Sequence, residues 1–217
     1  MDFSQAADII NKMIALIISL TLHEAGMALV ARWQGDKTAQ HEGRLTLNPI
    51  PHMDPVGTLL FPFIGSLLGG FIFGWAKPLP INPNNFRNRK WGTILTAGSG
   101  PFWNLLLCFV SVLIFYAIGE VEAGSPLIAA SRLTQAMVTV SAILAIFNLI
   151  PVYPLDGGTV LYELLPYDMK QKYDEYVVPY GSMALLALML FGGFKWIGTV
   201  AMVWVAICEA MARAILT

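Results

Sequence analysis

The sequence predicts an all-α, polytopic membrane protein that forms a single membrane-embedded domain over residues 1–217. Hydrophobic residues make up 56% of the chain and charged residues 12%, about half of the roughly 25% charged residues usual in a soluble domain. Mean hydropathy is +0.63. The apolar residues also collect into runs close to the ~20 residues that a membrane-crossing helix requires. A net charge of −1 gives no electrostatic footprint for a nucleic-acid partner, so membrane lipid is the expected surrounding.

Taken in order, segment 8–31 is the first span, with Lys12 near one end and His23 and Glu24 inside it. The N-terminus starts acidic and lacks a basic n-region or a small-residue cleavage site, so this segment is expected to be retained. Segment 57–75 is apolar but short and rich in breakers: Gly57, Pro62, Gly65, Gly69, Gly70 and Gly74. Segment 92–119 is long enough, although Gly98, Gly100 and Pro101 interrupt its first half, and segment 127–150 carries Asn148 near its end. Segment 180–216 is broken at Gly192-Gly193-Phe194-Lys195 and reads as one tilted span or a hairpin of two. The sum is about five or six membrane helices with a re-entrant or short segment. Between them, Gly43–Pro49 alternates apolar and polar residues and predicts a short strand-like loop. Cys108 and Cys208 sit inside apolar runs and read as small buried hydrophobes rather than a disulfide. No internal repeat is present, which disfavours a transporter built from paired broken helices.

Two places carry chemistry. An ionisable residue inside a span is costly and is read first as functional. His23 and Glu24 lie about ten residues from the polar end of the first helix, roughly 15 Å deep at 1.5 Å per residue. Packing and metal ligation are both open for a lone buried histidine, but the adjacent small residues Ala25 and Gly26 leave room beside the pair. The second place is Asn148–Gly158, where Pro151 and Pro154 end a span and put Asp156 on unwound chain. Irregular backbone at membrane depth survives only where it is buried in protein or lines a cavity. Asp156 is therefore either a metal-reaching carboxylate or part of an interfacial turn.

Topology decides whether His23 and Asp156 can meet. If segment 57–75 crossed, they would face opposite sides; if it is re-entrant, they approach one face. Charge favours the second arrangement. The stretches sharing that side hold Lys37, Arg44, Lys77, Arg87, Arg89, Lys90, Lys170 and Lys172, whereas the opposite loop holds Glu120 and Glu122. The positive-inside rule then makes the shared side cytoplasmic, in a multi-pass protein of the cell membrane whose site faces the cytoplasm.

Leu22-His23-Glu24-Ala25-Gly26, Gly43-Arg44-Leu45-Thr46-Leu47-Asn48-Pro49, His52-Met53-Asp54-Pro55-Val56-Gly57-Thr58, Gly74-Trp75-Ala76-Lys77-Pro78, Gly100-Pro101 with Asn104, and Asn148 through Gly158 follow one another in order. In these blocks the chain resembles the site-2 protease family of intramembrane zinc metalloproteases, over a family-like core of about residues 15–165; residues 180–216 match only as generic membrane helix. The resemblance implies zinc as cofactor, His23 and Asp156 as zinc ligands, Glu24 as general base, Asn148 as a catalytic residue that positions or polarises the substrate, and Asn104 as a substrate-binding residue. The implied substrate is a transmembrane segment of a single-pass protein, cut at a locally unwound peptide bond. His52 falls in a family-like loop with a structural or interfacial role, and His41 is solvated. Trp33, Trp75, Trp91 and Trp103 read as interface anchors or packing. Oligomeric state is not encoded in any of these blocks.

Met27 departs from the family. A helix of the form H-E-x-x-H sets two imidazoles at i and i+4 on one face, and Met27 stands where the second imidazole belongs. A thioether is a soft, neutral ligand better suited to copper(I) than to zinc, so Met27 is expected to fill space at the missing ligand's position. Hydrolysis by this chain is expected to be impaired or absent. The alternative is a non-catalytic pseudoprotease that binds transmembrane helices in the same groove.

Overall fold

Long apolar stretches of this sequence become long helices, because a chain in hydrocarbon must satisfy its backbone polar groups internally. The computed structural model describes residues 3–67, 74–119, 121–122 and 125–216. Among them the α-helices are α1 (Phe3–Gln34), α2 (Thr38–His41), α3 (Phe61–Leu67), α4 (Arg89–Ile118), α5 (Leu127–Asn148), α6 (Asp156–Leu164), α7 (Tyr167–Lys172), α8 (Val178–Leu190) and α9 (Gly193–Leu216). Four of these, α1, α4, α5 and α9, are long and apolar enough to cross a membrane. No sheet forms among the described residues; an isolated antiparallel bridge joins Met53 to Ala76.

α1, α4 and α5 pack against one another and form the centre, with α9 against α4 and α5 and α6 against α4. Ala15, Leu16 and Leu20 of α1 meet Val140 and Leu144 of α5. On the other side, Cys108 and Val112 of α4 and Ala142 of α5 meet Ala201, Val205, Cys208 and Ala212 of α9. Small side chains at that seam bring the helix backbones close, the usual basis of helix association in lipid. Both cysteines are free and buried.

The C-terminal stretch resolves into two helices. Gly192 adopts φ +90° between α8 and α9, a conformation that suits glycine, and Leu185 of α8 shares a cluster with Ile197 of α9. At 13 residues, α8 is about 20 Å long and shorter than a crossing needs.

The described ends of the short segment that follows the first span lie side by side. Asp54 caps its start, accepting hydrogen bonds from Val56 N and Gly57 N, with Pro55 at the first helical position. The apolar helical stretch Pro55–Ser66 follows, and the described chain resumes at residue 74. There Trp75 N donates to Gly57 O (3.2 Å) and Lys77 N to His52 O (2.8 Å), while the buried Thr58 hydroxyl donates to Trp75 O (2.8 Å). The two ends of segment 57–75 are thus neighbours. Residues 68–73, including Gly69 and Gly70, lie outside the described residues, as does Glu120 of the acidic loop.

Two expectations are corrected here. Gly43–Pro49 is bent, irregular chain after a turn at Gly43, not a strand, because its polar side chains bond their own backbone: Asn48 N donates to Thr46 Oγ1 and Ile50 N to Asn48 Oδ1 (both 3.1 Å). Arg44, grouped above with the loop cations, is only 3% exposed. The loops on its side of the molecule are further tied by Asp36, which follows Gly35 (φ +117°) at the end of α1. Its carboxylate accepts from Thr38 N (3.1 Å), Thr38 Oγ1 (2.6 Å), Asn82 N (2.8 Å) and Asn85 Nδ2 (2.9 Å). Burial alone would raise the Asp36 carboxyl, but these hydrogen bonds hold it below the usual carboxylate value.

Candidate metal centre

His23 stands on the face of α1 that packs against α4, and Asp156 is the first residue of α6. The bend made by Asn148–Leu155 carries Asp156 back over α1. Gly157 and Gly158 permit this, since a Cβ on either would lie 2.3–2.7 Å from backbone atoms of residues 149, 150, 152 and 153. The result brings His23 Nε2 within 3.0 Å of Asp156 Oδ2. The two atoms are not aligned as a hydrogen bond, and Asp156 Oδ2 is buried without another partner among the described residues.

α4 supplies the opposite wall through residues one turn apart. A Cβ on Gly100 would sit 2.3 Å from His23 Nε2, so this glycine leaves open the space beside that nitrogen. Asn104, fully buried, places its Nδ2 3.2 Å from His23 Nδ1. Its Oδ1 has no hydrogen-bond partner among the described residues. Gly26 performs the same service for α4 that Gly100 does for α1: the Trp103 indole lies against it, 1.9 Å from where a Cβ would be.

Glu24 leans away from His23 toward the loops. Arg44 Nη2 lies 3.5 Å from Glu24 Oε2 and donates to Lys77 O (2.7 Å), while Nη1 donates to Pro78 O (3.0 Å). Arg44 Nε approaches His52 Nδ1 at 3.5 Å, and His52 Nε2 lies 2.9 Å from Thr46 O. A carbonyl only accepts, so His52 carries its proton on Nε2 and turns the Nδ1 lone pair to Arg44. Burial first, then the Arg44 charge, push His52 below its ordinary value, against the pull of the Thr46 carbonyl. The only sequence signal for this network was Arg44 standing inside a block that also holds Thr46, Asn48 and His52.

The remaining expected residues are placed as follows. Met27, one helical turn beyond His23, is 8% exposed. Asn148 ends α5, half-buried, and its Nδ2 donates to Leu144 O (3.0 Å) within its own helix. His52 is 1% exposed and structural in its contacts. His41 is exposed, as are Trp33, Trp75 and Trp91. A mostly apolar cavity of about 740 Å³ opens beside Asp156, walled by Val30 and Trp33 of α1, Leu95 and Phe102 of α4 and Leu161 of α6.

The donor set fits a zinc ion at two positions. An imidazole nitrogen and an orphaned carboxylate oxygen converge, and the missing Gly100 Cβ leaves a cradle between elements; nitrogen and carboxylate oxygen are ordinary zinc donors. The third protein position expected on α1 holds the Met27 thioether. Among the described residues no group of three His, Cys, Asp or Glu side chains converges.

Comparison with known proteins agrees with this chemistry. The pattern described as "Peptidase family M50" matches residues 121–191, which include Asp156. A protein of Bacillus subtilis (strain 168) bearing the description "Putative zinc metalloprotease YwhC" is 34% identical over 180 residues, covering 82% of this chain and 78% of that protein. No solved structure matches significantly.

Proposed function

Because the chain belongs to peptidase family M50, the site-2 proteases, and is by that membership a metalloendopeptidase, we propose that it works on peptide bonds within the membrane. His23 and Asp156 are the zinc ligands in this reading and Glu24 the general base. The observation that carries it is the 3.0 Å approach of His23 Nε2, within α1, to the otherwise unpartnered Asp156 Oδ2 at the start of α6. When bound there, zinc supplies Lewis-acid polarisation of a carbonyl and of water. Glu24 takes the proton of the attacking water and returns it to the leaving amine. Arg44 fixes the Glu24 carboxylate to the 77–78 loop while it does so. Asn148, at the end of α5 beside the bend, turns its amide to the substrate carbonyl.

The substrate is a transmembrane segment of a single-pass protein, unwound locally to reach the site through the cavity between α1, α4 and α6. The neighbouring ends of segment 57–75 support a re-entrant course. α1, α4, α5 and α9 cross the membrane of a multi-pass protein, with Lys37, Lys77, Arg87 and Lys172 on the cytoplasmic side by the positive-inside rule. The whole chain is one domain, its protease core over about residues 15–165, followed by the short α8 and the membrane helix α9.

Met27 sets the level of activity. With a soft thioether where a third nitrogen or oxygen donor belongs, only His23 and Asp156 would hold zinc well, and hydrolysis would be impaired. The same residue supports a second reading, a non-catalytic protein that binds transmembrane helices in the groove. Met27→His separates them. The expected result is a rise to about one zinc per chain by elemental analysis, with cleavage of a single-pass transmembrane peptide in proteoliposomes. A Met27→His protein that remains free of zinc overturns the metalloprotease site; one that binds zinc and cuts nothing favours the binding protein.

A further inference from the structure

We propose that Asn104 is a positioning residue for His23: its amide holds the imidazole at Nδ1 and so presents Nε2 to Asp156. This rests on the metalloprotease reading for its purpose, but not for its geometry. Gly100 and Asn104 are one turn apart on α4, and both face the same imidazole, Gly100 at Nε2 and Asn104 at Nδ1. The pairing explains the spacing of Gly100 and Asn104, since the first must lack a Cβ for the helix to come close enough for the second to reach. His23 and Asn104 are both buried, at 5% and 0% exposure, so this contact is shielded from bulk solvent.

The amide can act in two ways because its two ends are nearly the same shape. With Nδ2 toward His23, as in the structure, Nδ1 accepts and the ring proton sits on Nε2 beside Asp156. Asn104 Oδ1 is then left buried and unpartnered. Turned by half a rotation, Oδ1 accepts from Nδ1–H and the Nε2 lone pair is free for a cation. A metal-binding histidine commonly donates its other N–H to such an oxygen. An asparagine serves both states; leucine serves neither, and aspartate serves only the second.

Selective ¹⁵N-histidine labelling of the metal-free full chain in detergent tests this directly, with the His23 signals assigned by their loss in His23→Gln. The expected result is a hydrogen-bonded Nδ1 in the parent and in Asn104→Asp, and an Nδ1 signal shifted by loss of that bond in Asn104→Leu. In parallel, in the Met27→His background, Asn104→Leu weakens zinc binding by about 10–100-fold, measured by chelator competition, and Asn104→Asp does not. A His23 Nδ1 signal that is the same in the parent and Asn104→Leu overturns the proposal, as does equal weakening of zinc binding by the Asp and Leu variants. The nitrogen readout needs no metal, so absence of zinc binding in the Met27→His protein would count against the protease reading alone.

Discussion

Arg44 and Glu24 form a buried pair, their side chains 4% and 12% exposed, and the same guanidinium satisfies the carbonyls of Lys77 and Pro78. Arg44→Met keeps the bulk but strips all of these partners at once. Breaking one side of a buried pair costs about 3–5 kcal/mol, so the thermal unfolding midpoint in detergent should fall well below the parent's; an unchanged midpoint would show the network to be idle. His52 adds a pH dependence. Its folded value lies below the ordinary 6.5, so the unfolded chain binds the proton more readily. The stabilisation is complete above the ordinary value and is lost as pH falls from there through the lower folded value. His52→Gln should accordingly flatten the decline of the midpoint between about pH 7 and pH 5. A parent and variant that decline in parallel would assign the acid sensitivity elsewhere. His23 and Glu24 stood out in the sequence because charge in an apolar run is costly, and Asp156 because two prolines unwind the chain before it. Arg44 did not, because a cation in a polar loop is usually solvated and only its neighbours reveal otherwise.

Among the elements, the α1–α4 contact determines the geometry of the site. Gly26 lets the Trp103 ring lie against α1, and Gly100 lets α4 lie against His23. Gly26→Ala should therefore cost about 1–3 kcal/mol through overpacking. Gly98→Ala, where a Cβ meets nothing within 4 Å, should instead be neutral or stabilising by up to about 1 kcal/mol through helix propensity. Matched chemical denaturation of the two variants checks the pair, and equal destabilisation by both would contradict this account of the interface. The sequence presented Gly98 and Gly100 alike, as interruptions of one helix. The difference lies in what faces them, and facing is a property of the packed helices. The strand expected at Gly43–Pro49 failed for a related reason: alternation describes the side chains, while Thr46 and Asn48 had already bonded the backbone locally.

For the molecule as a whole, the proposed course places residues 37 and 172 on one side of the membrane and residue 122 on the other. Single cysteines at Lys37, Lys172 and Glu122, all exposed positions, should react with an impermeant maleimide from one side, the same side, and the opposite side respectively. The native Cys108 and Cys208, both 0% exposed, should stay silent. Labelling of positions 37 and 122 from the same side would refute the topology. The sequence by itself determined that the chain is helical, apolar enough to reside in a membrane, and equipped with a histidine, two carboxylates and a methionine where a fuller metal site would have a second histidine. Those properties follow from composition and spacing along one helix, which a linear pattern records. Tertiary structure alone decided that Asp156 reaches His23, that Arg44 is buried against Glu24, and that Asn104 touches His23 Nδ1 rather than lining the cavity. Each of these joins residues distant in the chain, and such pairs are fixed by how closely the helices pack and where the chain bends back.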